Sequence, residues 1–225
     1  LPIPAPPPAT PSANVNGPAA QTSLLYQLQL MFGYLHESEK KSYDTRELCA
    51  SYRDIDCRPI NPSIQMDVDE FFNLLFDQLE AALKDSPQPN ILQSLFGGLV
   101  VHQIANKEKG KLSERVENFY TISIEVKSKR SVLDGLAQYV EGEVLDGDNK
   151  YKCEGGEYVE AVKRTCIHTL PPVLILHLKR FEFDFDQMKK MKLNDHCEFP
   201  LVINMERFTV DYLERHAAAD GAPSD

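Results

Sequence analysis

The chain has 225 residues, 42% of them apolar, room for one large domain or two small ones. Thirty-four acidic residues outweigh 24 basic ones, a net charge of −10, which argues against a nucleic-acid binder that must displace counterions with a basic stripe. No apolar run approaches the roughly 20 residues of a membrane span, and five cysteines without a CxxC argue for a reducing compartment, cytoplasmic or nuclear, over a disulfide-stapled secreted module.

Residues 1–20 hold 7 of the 15 prolines and read as a disordered Pro/Ala-rich linker. The N-terminus has neither a signal-peptide pattern nor an initiator Met, which reads as a piece of a longer polypeptide. Helical periodicity follows over residues 21–96. Leu24, Leu28, Met31 and Leu35, with Leu25 and Phe32 beside them, form one stripe. Asp44 is placed to cap a short helix from Thr45 to Tyr52. Pro59 and Pro62 punctuate the chain before a stronger helix from about Asp67 to Leu83. Val68, Phe71, Phe72, Leu75, Phe76 and Leu79 make its apolar face, with Asp67, Asp69 and Glu70 in the first turn. Pro89 opens a brief helix that Gly97 and Gly98 stop.

The period then changes. Leu99 to Ile104 and Phe119 to Val126 read as strands, with the charged stretch Asn106 to Glu117 as a solvated hairpin tip between them. Ser131 and Asp134 predict a capped helix to about Val140. Asp146-Gly147-Asp148 reads as a turn, Tyr158 to His168 as a half-exposed strand, and Val173 to Phe181 as a buried central strand. Residues 97–208 are therefore strand-rich, and 209–225 are expected to fray. Helices first and strands afterwards predict an α+β fold.

No Walker loop, GxGxxG, HExxH or GxSxG occurs. Cys166 and His168 lie two apart on a predicted strand, the spacing at which a nucleophile and its base share a face. A nucleophile normally sits at an element end near oxyanion donors, so the plainer reading, two mid-sized strand residues, is preferred. His177 reads as a satisfied core histidine, and Cys49, Cys57 and Cys197 as small apolar residues.

Two segments carry a family resemblance. Gln65-Met66-Asp67-Val68-Asp69-Glu70-Phe71-Phe72 resembles the QQDAxEF box of the ubiquitin-specific proteases, and Leu170 to Phe181, LPPVLILHLKRF, resembles that family's LPPVLxxHLKRF box. SERVENFYTISIEV, LAQYVEGEVLDGDNKYKC and KLNDHCEFP resemble three further family stretches, all in the family's order, over about Leu24 to Tyr212. The similarity is to the large multidomain members. It implies a papain-like cysteine protease fold, with a partial helical thumb followed by antiparallel fingers and palm. It also implies a deubiquitinase that binds ubiquitin and ubiquitinated proteins and hydrolyses the isopeptide bond after ubiquitin's C-terminal glycine.

The resemblance also implies roles for single residues. Asp67 and Glu70, i and i+3 on one helical face, would receive the arginines of ubiquitin's extended tail, with Gln65, Arg180 and Phe181 beside them. Alternatively, the two carboxylates serve only the helix N-terminus. Asp184 to Lys192 would form a loop over the tail, although Lys189, Lys190 and Lys192 equally suit a plain solvated loop. The family's nucleophile box, GxTCYxNS, and its histidine box, ending in GHY, are not in this sequence, so no catalytic residue is assigned and the segment alone is expected to be inactive. The family's fingertip zinc, held by two CxxC pairs, maps onto Ala105, Glu108, Cys153 and Gly156. Only Cys153 is a thiol, so no metal and no cofactor are expected. The alternatives are a non-catalytic ubiquitin-binding module and an acidic scaffold domain. Whether both boxes accompany the segment in a longer sequence separates them.

Overall fold

A computed structural model describes residues 23–64, 66–106, 109–185 and 187–219. The linker expected at 1–20 lies outside the described residues, as does Gln65. The chain divides into two units, Leu1–Asn90 and Ile91–Asp225.

The first unit is helical. Helix α1 is Leu24–Glu37, opened by Ser23, whose hydroxyl accepts the amide of Tyr26 at 3.2 Å. Its inner side turns through Leu24, Gln27, Leu28, Met31 and Tyr34, while Phe32 and Leu35 of the expected stripe stand 60% and 59% exposed. Helix α2, Arg46–Ser51, starts one residue later than expected, and Asp44 accepts the Arg46 amide at 3.1 Å instead of capping as the adjoining residue. Helix α3 is Val68–Leu83. Tyr52, almost wholly buried, stacks on Phe71 with ring centroids 4.8 Å apart and donates its hydroxyl to the Phe71 carbonyl at 3.1 Å. Gln78 clamps the chain after α2, accepting the Arg53 amide at 3.1 Å and donating to the Arg53 carbonyl at 2.8 Å. Phe76 and Leu79 are buried, whereas Val68 at the helix head is exposed.

The second unit starts with helix α4, Ile91–Phe96, followed by strands β1, Gly98–Asn106, β2, Gly110–Phe119, and β3, Thr121–Glu125. The charged stretch expected as a hairpin tip is therefore mostly strand β2, paired with β1 along its whole length. Helix α5, Val132–Val140, precedes β4, Glu143–Leu145, and the short hairpin β5, Tyr151–Lys152, and β6, Tyr158–Val159. Strands β7, Ala161–Thr169, β8, Ile175–Lys179, β9, Phe181–Asp184, and β10, Lys189–Lys192, lead to helix α6, Val210–Ala219. The last of these replaces much of the fraying expected after residue 208. Val210 is buried, and Leu213 packs against the core.

One sheet has the order β2-β1-β7-β4 and is antiparallel throughout. Strands β3 and β8 form a separate two-stranded sheet and run parallel, which the roughly 50 residues between them allow. β8 is thus half-buried, not a central strand. The core joins Ile122 and Ile124 of β3, Val132, Leu136 and Val140 of α5, Ile167 of β7 and Phe208. Helix α5 approaches β3 closely at Gly135, where an added Cβ would meet the Glu125 carbonyl at 2.9 Å.

Candidate functional site

The head of α3 carries the acidic pair. Asp67 is its N-cap, in extended conformation, and its Oδ1 accepts the amides of Asp69 at 2.9 Å and Glu70 at 3.4 Å. Both Asp67 and Glu70 are exposed. Among the described residues Glu70 accepts no hydrogen bond, so its carboxylate is available to an incoming cation. Asp67, expected in the first turn, is thus the cap that precedes it, and the Glu70 carboxylate is left over.

Arg180 and Phe181 belong to the second unit. The Arg180 guanidinium donates to the carbonyls of Leu193 at 3.2 Å and Asp195 at 2.9 Å, and the Arg180 carbonyl accepts the Leu193 amide at 2.6 Å. Arg180 thus pins the chain that leaves β10. Phe181 opens β9 and is 51% exposed. Asp184 to Lys192, expected as a loop, closes into the β9–β10 hairpin, with Asp184 paired to Lys189 and Asp184 Oδ1 accepting the Gln187 amide at 3.0 Å. Phe183 and Phe185 meet edge to face, with ring centroids 5.1 Å apart, on this hairpin.

Cys166 and His168 do not pair: the Cys166 thiol meets Gln103 and the His168 ring meets Thr169. Leu99 pairs with Thr169 and Val100 with Ile167, so His168 is the extra residue of a bulge. Cys166 is fully buried, while His168 is exposed and bonds Thr169 Oγ1 at 2.8 Å. Burial pushes the Cys166 thiol up, away from thiolate character. Its neighbour is Gln103, a buried amide that the sequence reading passed over inside the apolar run of β1. Gln103 Nε2 donates to Glu114 Oε2 at 2.9 Å and Glu214 Oε1 at 2.7 Å, and Oε1 accepts from Arg164 Nε at 3.1 Å. One amide thereby joins β1, β2, β7 and α6. Lys111, hydrogen-bonded to Glu114 at 2.6 Å, holds that carboxyl below its usual range. The only sequence signal was a polar residue at a core-facing position of a strand.

On the other face His102 bonds Thr165 Oγ1 through Nδ1 at 3.0 Å and Glu117 Oε2 through Nε2 at 3.1 Å. The order hydroxyl, imidazole, carboxylate is that of a hydrolytic relay, but Thr165 sits in the middle of β7, opposite His102, away from an element end with oxyanion donors. The contacts tie three strands together. His177 is half-buried and bonds Ser123 Oγ at 3.0 Å, a satisfied histidine. Cys57, expected as an apolar filler, is exposed in a turn at φ 61°. Cys197 packs against the core.

The residues at the expected zinc positions do not fit a four-thiolate site. Ala105 has no donor and Gly156 no side chain, the latter turning the β5–β6 hairpin at φ 83°. Among the described residues no three His, Cys, Asp or Glu side chains converge as metal ligands.

A family model described as ubiquitin carboxyl-terminal hydrolase matches residues 9–220. The chain belongs to the ubiquitin carboxyl-terminal hydrolase family. Similar members are ubiquitin carboxyl-terminal hydrolase 34 of Homo sapiens, 36% identical over 195 residues, and 9X of Mus musculus, 38% over 188. The probable ubiquitin carboxyl-terminal hydrolase FAF of Drosophila melanogaster is 34% identical over 193. These matches cover 86%, 83% and 85% of the chain, and the chain spans only 5–7% of those relatives' lengths. Among solved structures, a SAGA DUB module matches with a TM-score of 0.66 over 86% of this chain and 45% of that one at 20% identity. A SAGA DUB module bound to monoubiquitin matches with a TM-score of 0.57 over 65% of this chain and 34% of that one at 29% identity. The fold of this hydrolase family member is accordingly the papain-like α+β architecture. No helix among its described residues is long and apolar enough to cross a membrane.

Proposed function

We propose that this chain forms the ubiquitin-binding part of a deubiquitinating cysteine protease. The parent protein would hydrolyse the isopeptide bond after ubiquitin's C-terminal glycine with a cysteine nucleophile and a histidine base. The observation that carries the reading is the acidic head of α3, where Asp67 caps the helix and the exposed Glu70 carboxylate accepts no hydrogen bond among the described residues. An exposed carboxylate receives an arginine through charge-assisted hydrogen bonds. The relatives' names and the monoubiquitin bound in a structural neighbour support ubiquitin as the source of that arginine.

Within this reading Asp67 and Glu70 meet the tail; Gln65 and Phe181 are assigned to it by family resemblance alone. Arg180 acts by fixing the carbonyls of Leu193 and Asp195. The 225-residue chain itself is inactive. Among the described residues none of its thiols bonds a histidine, and burial pushes its most buried thiol up, away from thiolate character. The test is twofold. The chain should release no fluorophore from a ubiquitin C-terminal substrate, and a protein extended to include both catalytic boxes should do so. Turnover by the chain that vanishes in Cys166→Ala would overturn the assignment, as would failure of the extended, folded protein to bind ubiquitin.

A further inference from the structure

The two turns that a fingertip zinc would join are already joined by other chemistry. Position 108 is followed by Lys109 and position 156 by Glu157, and the Lys109 ammonium meets the Glu157 carboxylate in an ion pair. Beside it Asn106, the last residue of β1, donates its amide to the Glu160 carbonyl at 2.5 Å. Lys150, before β5, pairs with the Glu160 carboxylate at 3.2 Å. Asn106 also accepts the Lys109 amide at 2.8 Å, which fixes the stem from which the lysine reaches across. Together these contacts link the β1–β2 turn, the β5–β6 hairpin and the entry to β7 around a recess of about 580 Å³ lined by Ala105, Val144 and Tyr158. The hairpin turn needs no metal for its own shape. Cys153 donates its amide to the Glu157 carbonyl at 2.8 Å and accepts the Gly156 amide at 2.9 Å.

We infer that this fingertip is closed by an ionic clasp, Lys109–Glu157 with Asn106–Glu160–Lys150, in the place of a metal. The two ion pairs are partly exposed, with side chains between 36% and 65% accessible, so solvent and salt screen them. The fingertip therefore opens with rising ionic strength and ignores chelators. A thiolate-bound zinc would give the reverse response.

Hydrogen exchange of the full chain, read on peptides covering residues 150–162, tests this. Lys109→Glu and Glu157→Lys should each speed exchange there by about two- to fivefold, the range open to an exposed ion pair, and the double swap should return it toward the parent rate. Raising salt from about 0.05 to 0.5 M should speed the parent more than Lys109→Glu, in which only the Lys150–Glu160 pair of the clasp is left to screen. A chelator should change nothing, and elemental analysis should find no stoichiometric zinc. One zinc per chain whose removal speeds exchange would overturn the inference. So would single reversals without effect, or a double swap as fast as the single variants.

Discussion

Asp67 and Glu70 do different work although they share one turn of α3. Asp67 accepts two backbone amides, a role that asparagine fills about as well as aspartate and alanine does not. Asp67→Asn should therefore leave the melting temperature almost unchanged, while Asp67→Ala should cost about 0.5–2 kcal/mol in urea titration. Glu70 contributes only to the helix dipole, about 0.3–1 kcal/mol. On the proposed reading Glu70→Gln should instead weaken ubiquitin binding by roughly ten- to a hundredfold in a protein that carries the whole catalytic domain. Calorimetry showing lost stability with unchanged affinity would assign both carboxylates to the helix alone. The cysteines separate in the same manner. Cys57 is exposed and Cys166 is buried with its thiol pushed up, so iodoacetamide at neutral pH should modify Cys57 and spare Cys166 until the protein unfolds. Peptide mass spectrometry reads this directly. The Ser131 cap of α5 was legible because a capping box is local chemistry, whereas Asp67 was placed one position too far in, inside the turn it caps. Gln103 was not legible, since its partners Glu114, Arg164 and Glu214 come from three other elements and only the fold brings them together.

Elements with local signals emerged as the sequence reading expected. Helix α5 has a full capping box, in which Ser131 Oγ accepts the Asp134 amide at 3.3 Å and Asp134 Oδ2 accepts the Ser131 amide at 3.0 Å. Asp134→Ala should cost about 0.5–2 kcal/mol and Leu136→Ala, at a fully buried position, about 2–5 kcal/mol, both read by urea midpoint. Strand β2 was missed for a physical reason. Among the described residues it is the edge of its sheet, paired with β1, so its outward groups are solvated and no apolar alternation remains. Lys111, Glu114, Arg115 and Glu117 along it are also the kind of charges that keep an edge from pairing with another chain. Strand β8 failed in the opposite direction. Leu174, Leu176 and Leu178 pack on the core, but among the described residues its strand partner is β3 alone, so a continuous apolar run overstated its burial. Helix α6 carries its signal in Val210 and Leu213, and the Ala, Gly and Pro that follow obscured it.

At the scale of the whole molecule, burial of ionisable groups sets how stability depends on pH. Burial raises the thiol of Cys166 and the phenols of Tyr139 and Tyr52, in each case as the leading cause. Unfolded, such groups ionise near their ordinary values, about 8.5 for a thiol and 10 for a phenol. Folded, they keep their protons to higher pH. Between the two values the folded chain binds more protons than the unfolded one, so stability is complete below the ordinary values and falls as pH rises through the folded ones. Glu114 acts with the opposite sign. Lys111 lowers it, so its share is present above the ordinary carboxylate value and is lost as pH falls through the folded one. Urea titrations should therefore give a plateau around neutrality and a decline that starts near pH 8.5–9 and steepens toward pH 10. Removing the thiol in Cys166→Ala lowers stability everywhere by leaving a small cavity, but it should move the onset of the alkaline decline up to the phenol range. An onset unchanged in that variant would show that the buried thiol does not titrate with unfolding, and that the phenols alone carry the slope.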